Sequence, residues 1–350
     1  MIILGIDTSC DDTSVALVED GRSIKANVVR SQLRMHEPHG GVVPEVASRA
    51  HLGDIAGATR EALETADLAW EGVDAIGVTQ GPGLSGSLRV GLSFAKGLAL
   101  ARGLPLVAVN HLEGHIYSNW LIADHTHPQP EPRFPVLVLI VSGGHTELVL
   151  MSEHCQYRLL GSTRDDAAGE AFDKVGRQLG LGFPGGPAIQ RAAAEHAASE
   201  GAEAPAALPR AWLRGSADFS FSGLKTAVWH RLQVTAQGEA GAADPAARNA
   251  LAFAFQDSVV DVLVTKTLAA AQDHDEATVC VCGGVASNQS LRERMRAACT
   301  VPVYVPPPSL CVDNGAMIAA AAYFRLKHGG EAAGDPLAAD ALSGLALPLS

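Results

Sequence analysis

One strand–turn–strand unit occurs twice in this chain, and that repeat limits the fold more than any other feature. The apolar run Ile2-Ile3-Leu4-Gly5-Ile6 enters the polar segment Asp7-Thr8-Ser9-Cys10-Asp11-Asp12-Thr13 and returns as Ser14-Val15-Ala16-Leu17-Val18. About 130 residues later, Val136-Leu137-Val138-Leu139-Ile140-Val141 enters Ser142-Gly143-Gly144-His145-Thr146 and returns as Glu147-Leu148-Val149-Leu150-Met151. Both are hairpins whose turns carry small polar or glycine residues in place of a minimal Asn-Gly turn. The first is followed by helix–strand alternation: a helix near 48–66, a strand at 75–79, a helix near 86–102 and a strand at 104–109. Two such units with helical crossovers imply an α/β protein of two lobes with similar sheets and a ligand cleft between the two turns.

The length of 350 residues fits two domains. The expected division is 1–109 plus 314–350 for the first lobe and 110–313 for the second. A proline-rich joint falls near 124–135, and the low-complexity tail after Gly329 reads as partly disordered. His125 and His127 read as residues of that joint. No run reaches the 18 apolar residues of a membrane span, and the first residues lack the basic start of a signal peptide. Six cysteines form no CxxC pair, which suits reduced thiols and a cytoplasmic protein. The net charge of −12 argues against a chain that binds nucleic acid unaided.

His111-Leu112-Glu113-Gly114-His115 puts two imidazoles one helical turn apart, just past the strand at 104–109. With 13 histidines in 350 residues, roughly 0.5 such spacings arise by chance, so the pair alone is a weak metal signal. Asp313, ahead of an alanine-rich helix, reads first as an N-cap. It could also supply an oxygen to the same ion, since borderline metals take two imidazoles plus a carboxylate.

Other segments bear on ligand binding. Gly81-Pro82-Gly83-Leu84-Ser85-Gly86-Ser87-Leu88 has the glycine spacing of a Walker loop but no Lys-Ser/Thr, so it is no P-loop. It serves close strand–helix packing or lines the cleft. Ser142-Gly143-Gly144-His145 is a plain turn or a cradle of N–H groups for an anion. Asp173 lies one helix before Gly182-Phe183-Pro184-Gly185-Gly186-Pro187, which suits a ribose beside a backbone floor. The buried strand Thr278-Val279-Cys280-Val281-Cys282 enters Gly283-Gly284-Val285-Ala286-Ser287-Asn288 and then a helix near 289–298, whose start offers free N–H groups.

These motifs, with Phe219-Ser220-Phe221-Ser222-Gly223-Leu224-Lys225 and Asp313-Asn314-Gly315-Ala316-Met317, closely resemble the bacterial TsaD family of tRNA N6-adenosine threonylcarbamoyltransferases. The likeness runs in order from Met1 to about Leu326. It implies the actin-like/sugar-kinase (ASKHA, ribonuclease H-like) two-lobed architecture with duplicated mixed sheets. It implies transfer of the threonylcarbamoyl group from threonylcarbamoyl-adenylate to N6 of adenosine at position 37 of tRNAs reading ANN codons, with release of AMP. Carried over by motif, His111, His115 and Asp313 would hold one divalent metal, Fe2+ or else Zn2+. Val141, Ser142, Gly143, Gly144 and His145 would line the adenylate site, Asp173 would bind ribose, and Gly186, Gln190 and Asn288 would complete it. Asp11, Asp12 and His145 are the polar helpers, and no covalent nucleophile is expected. The implied partners are tRNA, AMP or ATP, the paralogue TsaB, the ATPase TsaE and an upstream TsaC-type synthase, with no membrane.

The chain departs from the family pattern at Gln190, where many relatives carry an acid, and at Asp12, where glutamate is usual. The alternatives are a small-molecule kinase of the same fold and a metallopeptidase. The latter needs His-Glu-x-x-His, and here Leu112 follows His111.

Overall fold

The computed structural model describes residues 1–349 apart from 123–125, 127–129, 200–206, 237–243, 275–277 and 330–337. His125 and His127 therefore lie outside the described residues. In chain order the elements are β1 (Ile2–Asp7), β2 (Asp12–Glu19), β3 (Ser23–Ser31), α1 (Leu33–His36), α2 (Pro44–Thr65), β4 (Ala75–Gly81), α3 (Ser85–Arg102), β5 (Leu106–Asn110) and α4 (His111–Tyr117). Then come β6 (Val136–Val141), β7 (Thr146–Glu153), β8 (Gln156–Ser162), α5 (Ala168–Gln178), α6 (Gly185–Ala198), α7 (Ser222–Ala236) and α8 (Pro245–Gln272). The chain finishes with β9 (Thr278–Cys282), α9 (Gln289–Ala298), β10 (Val303–Tyr304), α10 (Pro308–Cys311) and α11 (Gly315–His328). Both duplicated hairpins form, as β1–β2 and β6–β7. No helix among the described residues is long and apolar enough to cross a membrane.

The chain divides into two compact units. Unit 1 comprises Met1–Val136, Met151–Arg158 and Pro306–Ser350. Its sheet runs β3-β2-β1-β4-β5. β1 pairs antiparallel with β2 and parallel with β4, and β4 pairs parallel with β5. The period-2 alternation of β1 decides what covers each face. Leu4 and Ile6 point into a core with Ile55, Ala58, Ala62, Leu92 and Ala95 of α2 and α3. Gly5 points the other way and is the register partner of Gly77 on β4. A methyl at Gly5 would lie 2.2 Å from the Gly315 carbonyl, and one at Gly77 would lie 2.7 Å from Ala322 Cβ. Two bare backbones side by side thus let α11 press directly onto the sheet.

The C-terminal stretch docks on the same unit. Leu342 N–H donates to the Gln80 carbonyl at 2.9 Å, Asn110 Nδ2 donates to the Ala346 carbonyl at 2.8 Å, and Leu347 is buried.

Unit 2 comprises Leu137–Leu150 and Leu159–Val305. The second sheet runs β10-β9-β6-β7-β8. Phe172 of α5 meets Phe255 of α8 edge to face at 5.1 Å. Val259 and Val262 continue a buried stripe along α8. Arg294 on α9 bridges Asp257 and Asp261 of α8, each at 2.8 Å. Gly283, at φ +90°, turns the chain out of β9 where a methyl would lie 2.5 Å from the Val141 carbonyl.

Candidate functional site

β5 ends at Asn110, whose Oδ1 accepts the Leu112 N–H at 2.9 Å. This N-cap starts α4 at His111, so His111 and His115 share one face a turn apart. Their rings meet edge to face with centroids 4.7 Å apart. Asp313, between α10 and α11, puts Oδ1 3.4 Å from His111 Nε2 and 3.3 Å from His115 Nε2. Asp313 is not the helix cap expected from the sequence. That role falls one residue on, where Asn314 Oδ1 accepts the Met317 N–H at 2.9 Å. Freed from capping, the Asp313 carboxylate turns to the histidines.

His111, His115 and Asp313 offer three ligand atoms within 4.8 Å of one another, the only such group of His, Cys, Asp and Glu among the described residues. Donors about 2.1 Å from a tetrahedral ion stand ~3.4 Å apart, and the observed N···O separations match that spacing. Both Nε2 atoms face the shared oxygen, while both Nδ1 atoms are buried without a hydrogen-bond partner. The donor set therefore fits one borderline divalent ion. Without an ion, protons compete for it. Burial disfavours charge on His111, but Asp313 and Asp7 outweigh it and push its pKa to about 10. Burial would raise Asp313, yet His111 and His115 hold it well below the carboxylate range.

Asp7, which the sequence showed only as the start of a turn, is wholly buried at the end of β1. It accepts from Thr79 Oγ1 at 2.7 Å and from Ser9 N–H at 3.1 Å, and its Oδ2 lies 3.6 Å from His111 Nδ1. An acid ending an otherwise apolar central strand was the available clue. Asp11 lies half-buried in the β1–β2 turn, its carbonyl accepting the Gln32 N–H. Asp12 opens β2 opposite Ser31. Its Oδ1 is buried without a partner. Burial pushes its pKa up to about 7, against a hydrogen bond from Ser31 and with help from Asp11, Asp313 and Asp7.

Glu113 turns away from the histidine pair. It is buried, accepting from Arg325 Nη1 and from the Tyr157 hydroxyl, both at 3.1 Å. It is thus committed to packing α4, which removes the base that a His-Glu-x-x-His peptidase requires.

Within unit 2, Gly143, Asp173, Gly186, Gln190 and Asn288 line one pocket of about 260 Å³. Phe172, Pro184, Pro187 and Val285 give it apolar walls, a role that the sequence assigned to none of the four side chains. Val141 ends β6 in the core, and Ser142, Gly144 and His145 form the adjoining turn without lining this pocket. The Ser142 N–H closes that turn on the His145 carbonyl at 2.8 Å, leaving Gly143 and Gly144 exposed at its tip. The pocket's polar residues are held by the elements around it. Asp173 Oδ1 accepts the Gly185 N–H at 2.8 Å, and Gln190 Oε1 accepts the Gln289 N–H at 2.8 Å. Asn288 caps α9 through Leu291 N–H at 3.1 Å and donates to Gln256 Oε1 at 2.8 Å.

Sheet order, duplicated hairpins and crossover helices define an α/β protein of the actin-like/sugar-kinase (ASKHA) class. Solved structures agree. HypF of T. kodakarensis aligns with a TM-score of 0.57 at 12% identity, over 93% of this chain and 48% of that one. The activator of the 2-hydroxyisocaproyl-CoA dehydratase from Clostridium difficile, with bound ADPNP, aligns at 0.51 and 13% identity, over 95% of this chain and 97% of that one. These likenesses show the fold alone. A family model described as TsaD, tRNA N6-adenosine threonylcarbamoyltransferase, matches residues 23–320. The tRNA N6-adenosine threonylcarbamoyltransferase of Thermomicrobium roseum is 53% identical over 346 residues, covering 94% of this chain and 93% of that protein. That of Dehalococcoides mccartyi strain BAV1 is 52% identical over 329 residues, covering 94% and 95%. The chain belongs to the TsaD family.

Proposed function

We propose that this chain moves a threonylcarbamoyl group from threonylcarbamoyl-adenylate to N6 of adenosine at position 37 in tRNAs reading ANN codons, releasing AMP. Transfer of threonylcarbamoyl to tRNA adenosine is the activity of its family, and a match over 94% of the chain carries it here. The kinase and metallopeptidase readings are not favoured. The observation behind the chemical part is the convergence of His111, His115 and Asp313 on one point.

Adenosine N6 attacks the carbamoyl carbon, the bond from that carbon to the phosphate oxygen breaks, and N6 gives up a proton. The adenylate's nucleotide part suits the unit 2 pocket, with Asp173 toward the ribose and Gly186, Gln190 and Asn288 completing the wall. Exposed N–H groups at Gly143 and Gly144 suit the negative charge of the phosphate. Asp12 is the preferred proton acceptor among Asp11, Asp12 and His145, because a carboxyl titrating near neutrality takes up protons efficiently at physiological pH. His111, His115 and Asp313 would hold one divalent ion, Fe2+ in preference to Zn2+. When bound, that ion supplies Lewis-acid polarisation of a carbonyl and a grip on a polar ligand. No Ser-His-Asp set is required, so transfer is direct. The working complex is cytoplasmic and includes TsaB and TsaE, fed by a TsaC-type synthase.

The test incubates tRNA and threonylcarbamoyl-adenylate with wild type and Asp313→Ala. Wild type should release AMP and modify adenosine. Asp313→Ala should lose tenfold or more of the rate, about 1.4 kcal/mol. Equal rates would reject the metal role, and an acylated protein trapped from labelled donor would reject direct transfer.

A further inference from the structure

We propose that Asp7 is a positioning residue that fixes the tautomer of His111, holding its proton on Nδ1 and leaving the Nε2 lone pair for a divalent ion. The proposal rests on the reading of His111, His115 and Asp313 as metal ligands.

A neutral imidazole carries one proton, and the nitrogen that binds metal must be the bare one. His111 Nε2 is the nitrogen turned to Asp313, at 3.4 Å. Its Nδ1 is buried without a hydrogen-bond partner and faces Asp7 Oδ2 at 3.6 Å. That separation exceeds a hydrogen bond, so the interaction at this distance is electrostatic. Because His111 Nδ1 and Asp7 are both buried, it still favours a proton on the nitrogen facing the carboxylate. Metal-bound histidines are commonly oriented in this way by a carboxylate behind the ring.

Asp7 is built to act so. It ends the central strand β1, and its neighbour Thr79 lies beside it on β4, one residue past the register pair Ile6 and Val78. Thr79 Oγ1 donates to Asp7 Oδ1 at 2.7 Å, Ser9 N–H to the same oxygen at 3.1 Å, and Ser9 Oγ to Oδ2 at 3.3 Å. Three donors within the sheet end and its turn fix the plane of a carboxylate that is 0% exposed. His115 offers the contrast. Its Nδ1 is also buried, with no hydrogen-bond partner, and its one ion-pair contact among the described residues is Asp313 at Nε2. Of the two rings, His111 is the one with carboxylates on both sides.

The experiment strips the full chain with a chelator and titrates it with Zn2+ against a chromophoric competitor. Wild type, Asp7→Asn, Thr79→Val and His115→Ala are compared, with the melting temperature of each apo form. Asp7→Asn should weaken zinc by ~10–100-fold, the usual cost of losing such a carboxylate. Thr79→Val, which only loosens Asp7, should weaken it several-fold. In the zinc-loaded wild type, long-range 1H–15N spectra should place the His111 proton on Nδ1, and Asp7→Asn should move that proton's resonance upfield. A merely structural role would lower the melting temperature without moving that signal. Zinc affinity of Asp7→Asn within twofold of wild type, or a His111 proton on Nε2, would overturn the proposal. If Asp7→Asn does not fold, the wild-type tautomer and Thr79→Val decide the matter. If wild type binds zinc no better than His115→Ala, the metal reading itself fails, a result obtained without touching Asp7, and the proposal falls with it.

Discussion

Arg325 on α11 donates through Nη1 to Glu113 Oε2 at 3.1 Å and to the Ala108 carbonyl at 3.0 Å. One guanidinium thereby ties the helix bearing both histidines to the strand that precedes it. Glu113 is 1% exposed, so losing its cation strands a buried carboxylate. Arg325→Met should cost about 3 kcal/mol, the low end of the range for a broken buried pair because Arg325 is partly solvated. Glu113→Gln keeps an acceptor for Tyr157 and should cost less. Urea unfolding measures both, and an Arg325→Met midpoint equal to wild type would contradict the assignment.

Acid should loosen unit 1 through His154. Its ring stacks on Phe324 at 4.3 Å and lies 5.7 Å from Trp120. Burial, then the charge of His328, lowers its pKa from 6.5 to about 4. The folded state therefore favours the neutral ring. The resulting stability is complete above pH 6.5 and is lost as pH falls from there toward 4. Partial solvent exposure and the attraction of ring faces for a cation both reduce the effect, to about 1–2 kcal/mol. His154→Phe should flatten the stability profile in that window. A variant as acid-sensitive as wild type would place the titration elsewhere.

Two adjacent glycines should respond in opposite ways to a side chain. A methyl at Gly185 would lie 2.4 Å from the Phe172 carbonyl, whereas one at Gly186 meets nothing within 4 Å. Gly185→Ala should therefore destabilise unit 2 by several kcal/mol, about 3 if the backbone must shift. Gly186→Leu should fold normally and occupy the pocket, weakening AMP or ATP at least tenfold by calorimetry. Unchanged nucleotide affinity in Gly186→Leu would remove this pocket from consideration.

With a net charge of −12, the isolated chain should hold tRNA weakly at physiological salt, with Kd above about 1 μM. Addition of TsaB and TsaE, the proposed partners, should tighten binding and steepen its salt dependence. Sub-micromolar binding by the chain alone, in a filter or fluorescence assay, would refute this.

The hairpins and crossover helices were legible because apolar runs and glycine turns are local properties. β1, β2, β6 and β7 fall where the runs predicted, and α3 and α9 begin within a residue of the predicted starts. What acts across the sequence was harder to see. Asp313 and Asn314 are equally good caps by type, and only the bond to Met317 N–H shows which one caps and which one is left for the histidines. Asp7 resembled any polar turn residue, because its partner Thr79 depends on which strands neighbour β1. Gln190, conspicuous as a missing acid, is engaged by a backbone N–H almost a hundred residues away.

Asn110 caps the helix of His111 and His115 and also donates to the Ala346 carbonyl. The stretch around Ala346 is thus a clamp on the helix that carries both histidines. Affinity tags and proteolytic trimming there are not neutral manipulations. A preparation clipped after α11 would keep His111, His115 and Asp313 yet lose the clamp, so any loss of zinc affinity in such material would report on the clipping as much as on the three proposed ligands.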